Sequence, residues 1–183
     1  MFIQISGLFS GDTMVKRAKL VNDIVELIPI LQLFSSKTYR NVYESLLIER
    51  LTMSELEQRF GDCTEALKVL KHAGMLEVKW RMPSEVHGKP EKEYHVSYTH
   101  LSASFYSPLK DLNTILEVVS MPDDEFEEIV KKIENEVLSG RKSVPYISKS
   151  LGLDPLYIRS VAKRSLKLTL KGQLVELAKD EEI

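Results

Sequence analysis

Apolar residues recur three and four positions apart through the first half of the chain, which is the spacing of amphipathic helices. The pattern predicts a helix over residues 14–34 with a break at Pro29, and a second helix over residues 36–50. Thr52 and Glu55 have the spacing of a capping box, so a short helix is expected up to Phe60. A further helix is predicted over residues 64–73, where Gly74 ends it.

The period changes from helical to alternating after Gly74, which predicts a β-hairpin. Leu76, Val78 and Trp80 alternate with charged residues, and Tyr94, Val96 and Tyr98 do the same. The polar segment between them, residues 83–90, is expected to be the loop that joins two antiparallel strands. A helix over residues 109–119 follows.

The remaining third of the chain again has a helical pattern, beginning after a boundary at Met121-Pro122. It predicts a long charged helix over residues 123–138, a short helix over 144–151 and a longer helix over 156–171 that residues 173–179 extend. Gly152 marks the turn between the last two helices. The C-terminal part is therefore expected to be helical and helix-turn-helix-like.

Residues 36–99 follow the order helix, short helix, tight turn, helix, strand, loop, strand. This order is typical of the winged helix-turn-helix, whose second turn helix enters the major groove while the first braces it. The predicted fold class is mostly α with a small β-hairpin wing: a winged helix-turn-helix plus a C-terminal helical domain. The predicted domains are an N-terminal helical dimerisation segment (1–35), the winged unit (36–108), a connecting helix (109–120) and the C-terminal domain (121–183).

Three stretches of the sequence resemble winged-helix transcriptional regulators of the ArsR type, and related bacterial and archaeal families are similar as well. They are LTMSEL (51–56), ALKVLKHAGMLE (66–77) and GKPEKEYHV (88–96), three stretches that lie within residues 51–96. The second is similar to a recognition helix leading into the first wing strand, and the third to a wing tip returning into the second strand. Each motif alone is weakly specific, but their order and spacing are more so.

The resemblance implies a homodimeric regulator of transcription that holds two recognition helices about one DNA turn apart, ~34–36 Å. It also implies a dimer interface built from the flanking helices at 14–34 and 109–119. The alternative, that the first of these only completes the core of the monomer, stays open. Metal-sensing members use cysteine-containing motifs, whereas Cys63 is the single cysteine here, so metal sensing is not carried over.

Double-stranded DNA is the predicted partner, read by the helix over 63–73 and braced by the wing over 82–92. Side chains off the buried face of the helix, together with the wing cations, are the candidate contacts. An alternative is that they are ordinary solvated charges, since residues 36–108 carry ten basic and ten acidic groups. The candidates are Thr64, Glu65, Lys68, Lys71 and His72 on the helix and Arg81, His87, Lys89 and Lys92 in and beside the wing.

The net charge of −2 conceals a strong asymmetry along the C-terminal third. Residues 121–138 contain seven acidic and two basic groups, a balance of −5, and residues 139–171 contain eight basic and one acidic, a balance of +7. The basic segment predicts a possible second DNA contact through Arg159, Lys163, Arg164 and Lys167. The alternative is that these cations pair with the acidic helix.

No sequence motif points to an enzyme, because a glycine-rich phosphate loop, an HExxH motif and a nucleophile elbow are all missing. No cofactor is expected, and a small-molecule effector stays unknown. One cysteine, the lack of a signal-peptide pattern and the shortness of the apolar runs predict a cytoplasmic protein with no membrane partner. The alternative function is that of a winged-helix protein–protein interaction module in a larger assembly.

Overall fold

The computed structural model describes residues 17–83 and 89–178. This part of the chain contains both helices and short strands, and the first strand is separated from the first helix by a short 3-10 turn. The helices are α1 (Leu27–Ser35), α2 (Lys37–Ile48), α3 (Met53–Phe60), α4 (Thr64–His72), α5 (Leu109–Ser120), α6 (Asp123–Leu138), α7 (Val144–Leu151) and α8 (Pro155–Arg164). The strands are β1 (Arg17–Val21), β2 (Leu51–Thr52), β3 (Leu76–Arg81), β4 (Glu91–Val96), β5 (Tyr98–Ala103), β6 (Leu168–Lys171) and β7 (Leu174–Leu177).

Residues 37–96, here called the N-terminal unit, form the helix-helix-helix-hairpin arrangement that the sequence predicts. Ser36 caps α2 through its side chain, and the predicted capping box of α3 is confirmed. The Thr52 N–H donates to the Glu55 carboxylate at 2.7 Å, and the Glu55 N–H donates to the Thr52 hydroxyl at 3.3 Å. These bonds satisfy two of the backbone donors that a helix start leaves open.

The predicted end of α4 is confirmed at Gly74. This glycine has a φ of +64°, a left-handed conformation that a residue without Cβ adopts without steric cost. Its N–H donates to the Lys71 carbonyl, and the Met75 N–H donates to the Leu70 carbonyl at 2.9 Å. The chain therefore reverses directly from α4 into β3.

The three strands of the N-terminal unit form an antiparallel sheet in the order β2-β4-β3. Tyr94 lies at its centre, opposite Leu51 on one side and Val78 on the other. The Tyr94 side chain is buried, as are Leu46, Leu67 and the other apolar residues that α2, α3 and α4 contribute to the same core. One face of the sheet thus packs on the three helices.

One helix assignment and one strand assignment from the sequence are wrong at the edges of this unit. Residues 17–21 form β1, which pairs with residues 98–103, and not the first turns of a helix. The first helical turn begins after Asp23, whose side chain accepts a hydrogen bond from the Val25 N–H. The second hairpin strand ends at Val96, and Tyr98 begins a separate strand that pairs in parallel with β1. β1 and its partner strand are more than 70 residues apart in the sequence, so the local hydrophobic pattern does not indicate that they pair.

Residues 123–177, here called the C-terminal unit, correct the prediction of an all-helical C-terminal domain. The predicted helices over 123–138 and 144–151 are confirmed. The predicted helix over 156–171 instead ends at Arg164, and the residues after it form the antiparallel hairpin β6–β7. Leu166, Leu168 and Leu170 alternate with polar residues, and Gly172-Gln173 is a two-residue hairpin turn.

The C-terminal unit repeats the element order of the N-terminal unit. In the N-terminal unit, Thr52 caps α3 and pairs with Glu93 of the second hairpin strand. In the C-terminal unit, Ser143 precedes α7 and forms a bridge with Leu174 of the second hairpin strand. α6, α7 and α8 therefore occupy the places that α2, α3 and α4 occupy in the first unit.

α1 and α5 join the two units through a small shared core. Ile28 of α1 and Ile115 of α5 are fully buried there, and Leu156 and Leu170 of the C-terminal unit pack against them. The apolar face of α1 is thus covered within the chain itself. This supports the alternative in which that segment completes the monomer core.

Candidate nucleic-acid interface

α4 lies on the surface of the N-terminal unit with one apolar face turned inward. Ala66, Leu67 and Leu70 are completely buried against α2, α3 and the sheet. The residues around the rest of the helix fall into two rows, each with the spacing of four and then three residues that aligns side chains on a helix. The two rows have different surroundings.

The first row consists of Thr64, Lys68 and Lys71. Lys68 is exposed, and Thr64 and Lys71 are half-buried. Asp62 lies at the start of the helix, where its carboxylate accepts a hydrogen bond from the Thr64 N–H at 3.0 Å. This backbone bond lowers the pKa of Asp62. Asp62 therefore already occupies one of the backbone donors at the start of this helix. A bound phosphate would be attracted by the lysines of the row more than by the helix N-terminus.

The second row consists of Glu65, Val69 and His72, and it faces the C-terminal unit. Glu65 accepts a hydrogen bond from Tyr39, and burial together with this carboxylate raises the pKa of Tyr39 above its usual range. The His72 ring donates from Nε2 to the Lys163 carbonyl at 3.0 Å, and burial lowers its pKa. Glu65 and His72, both predicted as DNA contacts, thus have hydrogen-bond partners within the chain.

The base of the β3–β4 ribbon is held to α3 by Arg81. Its guanidinium donates to Glu55 at 2.8 Å, to Glu93 at 3.1 Å and to the Arg50 carbonyl at 2.8 Å. Arg50 also pairs with Glu93 at 3.3 Å. The predicted wing cation Arg81 therefore fixes the ribbon relative to α3, and the charge of Glu93 is matched by two arginines.

The other predicted wing cations lie further along the ribbon. Lys89 is exposed, and Lys92 is half-buried opposite Trp80. His87 lies outside the described residues. The sequence analysis missed the roles of Arg50 and Glu93, although opposite charges on neighbouring strands are a usable signal once the hairpin register is known.

The four cations predicted as a second DNA contact, in the C-terminal unit, do not lie on one helix face. Lys167 follows the end of α8 and forms an ion pair with Glu127 of α6. Arg159 pairs with Asp23, which precedes α1, and Lys163 is half-buried. The pairs with Asp23 and Glu127 agree with the alternative in which these cations bind acidic groups of the same chain.

Arg164 is the most enclosed of these cations, with only 10% of its side chain exposed. It donates at 2.8 Å to the carbonyls of Val118 and Met121 and to the Asp123 carboxylate. Its guanidinium also lies over the Phe126 ring, 4.1 Å from the centroid. These contacts tie the end of α5 to the start of α6 and to the last turn of α8.

Replacing Arg164 with alanine is expected to lower the free energy of unfolding by about 2–4 kcal/mol, because two buried carbonyls lose a charged donor and a cation–π contact is lost. Urea unfolding followed by circular dichroism measures this change. Lys171→Ala, in an exposed pair with Glu176, is the matched control and should change stability little. Unchanged stability of the Arg164 variant together with weaker DNA binding would favour a DNA contact instead.

A cleft of about 480 Å³ separates the two units beside the second row of α4. It is lined mainly by polar side chains, and most of its charged groups are already paired with one another. Among the described residues, no group of three or more His, Cys, Asp or Glu side chains is placed to hold a metal ion. No helix within the described ranges is long and apolar enough to cross a membrane.

Comparison with known proteins gives a family for almost the whole chain. The family model described as ArsR transcriptional regulator matches residues 21–179, which include both units and the helices that join them. No curated protein matches the sequence.

Proposed function

Because the chain belongs to the ArsR family of transcriptional regulators, we propose that it binds double-stranded DNA through a winged helix-turn-helix formed by the N-terminal unit. α4 is the recognition helix in this proposal, and the β3–β4 ribbon is the wing. The observation that carries the proposal is the exposed Lys68 on α4, flanked by Thr64 and Lys71 on the same side of the helix. Lysines at these positions reach phosphates or guanine edges when the helix lies in the major groove.

The rigid mounting of α4 supports the same proposal. A helix that reads bases needs a fixed angle to the groove, and α4 is fixed on its inner face by the core and at its end by the Gly74 turn. Arg81 fixes the ribbon to the neighbouring helix. We propose that Thr64, Lys68 and Lys71 contact DNA directly, with Lys89 and Lys92 on the neighbouring backbone, and that Arg81 positions the wing.

We further propose that the protein is a homodimer that uses the outer face of α5. The inner face of this helix carries the buried Ile115 and Val118. Its outer face carries Leu109, Leu112 and Leu116, which are 86%, 39% and 49% exposed and recur three and four residues apart. An exposed leucine row of this spacing is typical of a helix that packs on a second helix.

The C-terminal unit has a different role in this proposal. The helix that corresponds to α4 is α8, where Arg159 pairs with Asp23 and Arg164 binds the α5–α6 junction. Just beyond the helix, Lys167 pairs with Glu127. We propose that the unit braces the second row of α4 and that the first unit alone contacts DNA.

A salt series tests the DNA-binding proposal. Fluorescence anisotropy of a labelled mixed-sequence duplex is expected to show binding at low salt, with log K falling by about 0.9 per decade of salt for each contacted phosphate. Absence of binding at low salt would overturn the proposal. Recovery of a stoichiometric protein complex without DNA would favour the interaction-module alternative.

A further inference from the structure

An exposed apolar row runs along the first strand of the ribbon. Val78 and Trp80 alternate along β3, and Met82 follows directly after it; their exposed fractions rise from 44% to 64% and 74%. Val78 lies opposite the buried Tyr94 in the antiparallel register, and Trp80 lies opposite Lys92. Paired residues project from the same side of a sheet, so Val78 and Trp80 project from the side that faces the helices. The row begins beside the core at Val78 and continues into solvent.

Trp80 is unusual in this row. Tryptophan is mostly buried in folded proteins, and here the single tryptophan of the chain is largely in solvent. No residue in the described part of the chain accepts a hydrogen bond from its indole N–H. Single exposed apolar residues are common, but an apolar row at the rim of a core marks a binding surface.

The charges around the row favour a nucleic acid over an apolar protein surface. Lys92 is the cross-strand neighbour of Trp80, and Lys89 is exposed on the same ribbon. The nearby carboxylate of Glu93 is neutralised by Arg50 and Arg81. An anionic partner with apolar faces fits this combination, and the sugar–phosphate strand of DNA has both.

We propose that Trp80 packs against the DNA backbone strand that runs between the groove holding α4 and the groove reached by the wing. The indole N–H donates to a phosphate oxygen, and the ring covers a deoxyribose face, with Met82 extending the contact toward the minor groove. This inference rests on the proposed function, since it requires α4 and the ribbon to face the same duplex. It adds an apolar contact to an interface otherwise made by lysines.

The test uses the full chain and a labelled mixed-sequence duplex at low salt, with two readouts in one titration. Anisotropy of the label reports binding, and tryptophan emission reports the surroundings of Trp80 alone, because no other tryptophan is present. We expect the emission to be quenched in step with the anisotropy. Trp80→Ala is expected to weaken binding about tenfold, and Trp80→Phe, which keeps the ring and loses the donor, by less.

Tyr146→Ala is the matched control, because Tyr146 is 65% exposed on the C-terminal unit and its loss should leave affinity unchanged. Binding with unchanged emission, or equal affinities of Trp80→Ala and Tyr146→Ala, would overturn the inference and leave the proposed function standing. If tryptophan emission changed with protein concentration in the absence of DNA, the row would be a contact between two copies of the chain. That result would overturn the inference as well. Absence of any anisotropy change would overturn both.

Discussion

Reversing the charges of Lys68 and Lys71 to glutamate is expected to weaken binding to double-stranded DNA by about a hundredfold or more. Both lysines lie outside the buried face of α4, where Lys68 is exposed and Lys71 is half-buried. In the proposed complex each would lose a phosphate or base contact and place a carboxylate against the DNA. Anisotropy of a labelled duplex measures the loss, and the salt slope should fall by about one for each contact removed.

The control for this double variant is Lys131→Glu with Lys132→Glu on α6. Both of these lysines are exposed on the C-terminal unit, and the substitutions change the net charge of the chain by the same amount. A general electrostatic effect would weaken binding equally in the two variants, whereas a recognition helix at α4 predicts a much larger loss for the first. Because Lys71 is half-buried, Lys68→Glu alone provides a variant whose fold is expected to be intact. Wild-type affinity in both α4 variants would exclude α4 as the recognition helix.

The N-terminal unit was largely predictable because local signals determine it. The capping box at Thr52, the left-handed Gly74 and the alternation through Trp80 are each read within a few residues. The β1–β5 pair was not predictable, since parallel pairing depends on residues distant in sequence. The β6–β7 hairpin was missed for another reason: its leucines also fit a helical spacing, and the Gly172-Gln173 turn was interpreted as a helix break.

The candidate site, like the fold, was predictable from the sequence only in part. The sequence indicates which side chains of α4 lie outside its apolar face, but of these only Glu65 and Lys68 are exposed, and Thr64, Lys71 and His72 are half-buried. It cannot separate the row of Lys68 from the row of His72, since only the docked C-terminal unit distinguishes them. Likewise, Arg164 has the sequence context of a surface cation, and its burial follows from the α5–α6 junction folding over it. Tertiary packing thus determines which basic residues are available to a partner.

The dimer proposal predicts that Leu112→Glu with Leu116→Glu converts the protein to a monomer. Each leucine is partly exposed in the single chain, so the substitutions should not disturb its core. In a two-fold dimer four leucines would lose the burial of the 39–49% of their surface that is exposed in the single chain. At about 0.6–1.5 kcal/mol each, the dissociation constant should rise at least about a hundredfold. Sedimentation equilibrium measures this shift, and circular dichroism checks that the helices persist.

The dimer experiment is made specific by Leu138→Glu, which places one glutamate on a leucine that is 70% exposed at the end of α6. This control should remain dimeric. A monomeric wild-type protein would contradict the proposal, as would an Leu112/Leu116 variant with the wild-type dissociation constant. Loss of the dimer should also weaken binding to a two-half-site duplex far more than to a single half-site, because only a dimer places two α4 helices on one DNA molecule. Equal losses on the two duplexes would indicate that α5 supports the fold of the monomer and not the pairing of two recognition helices.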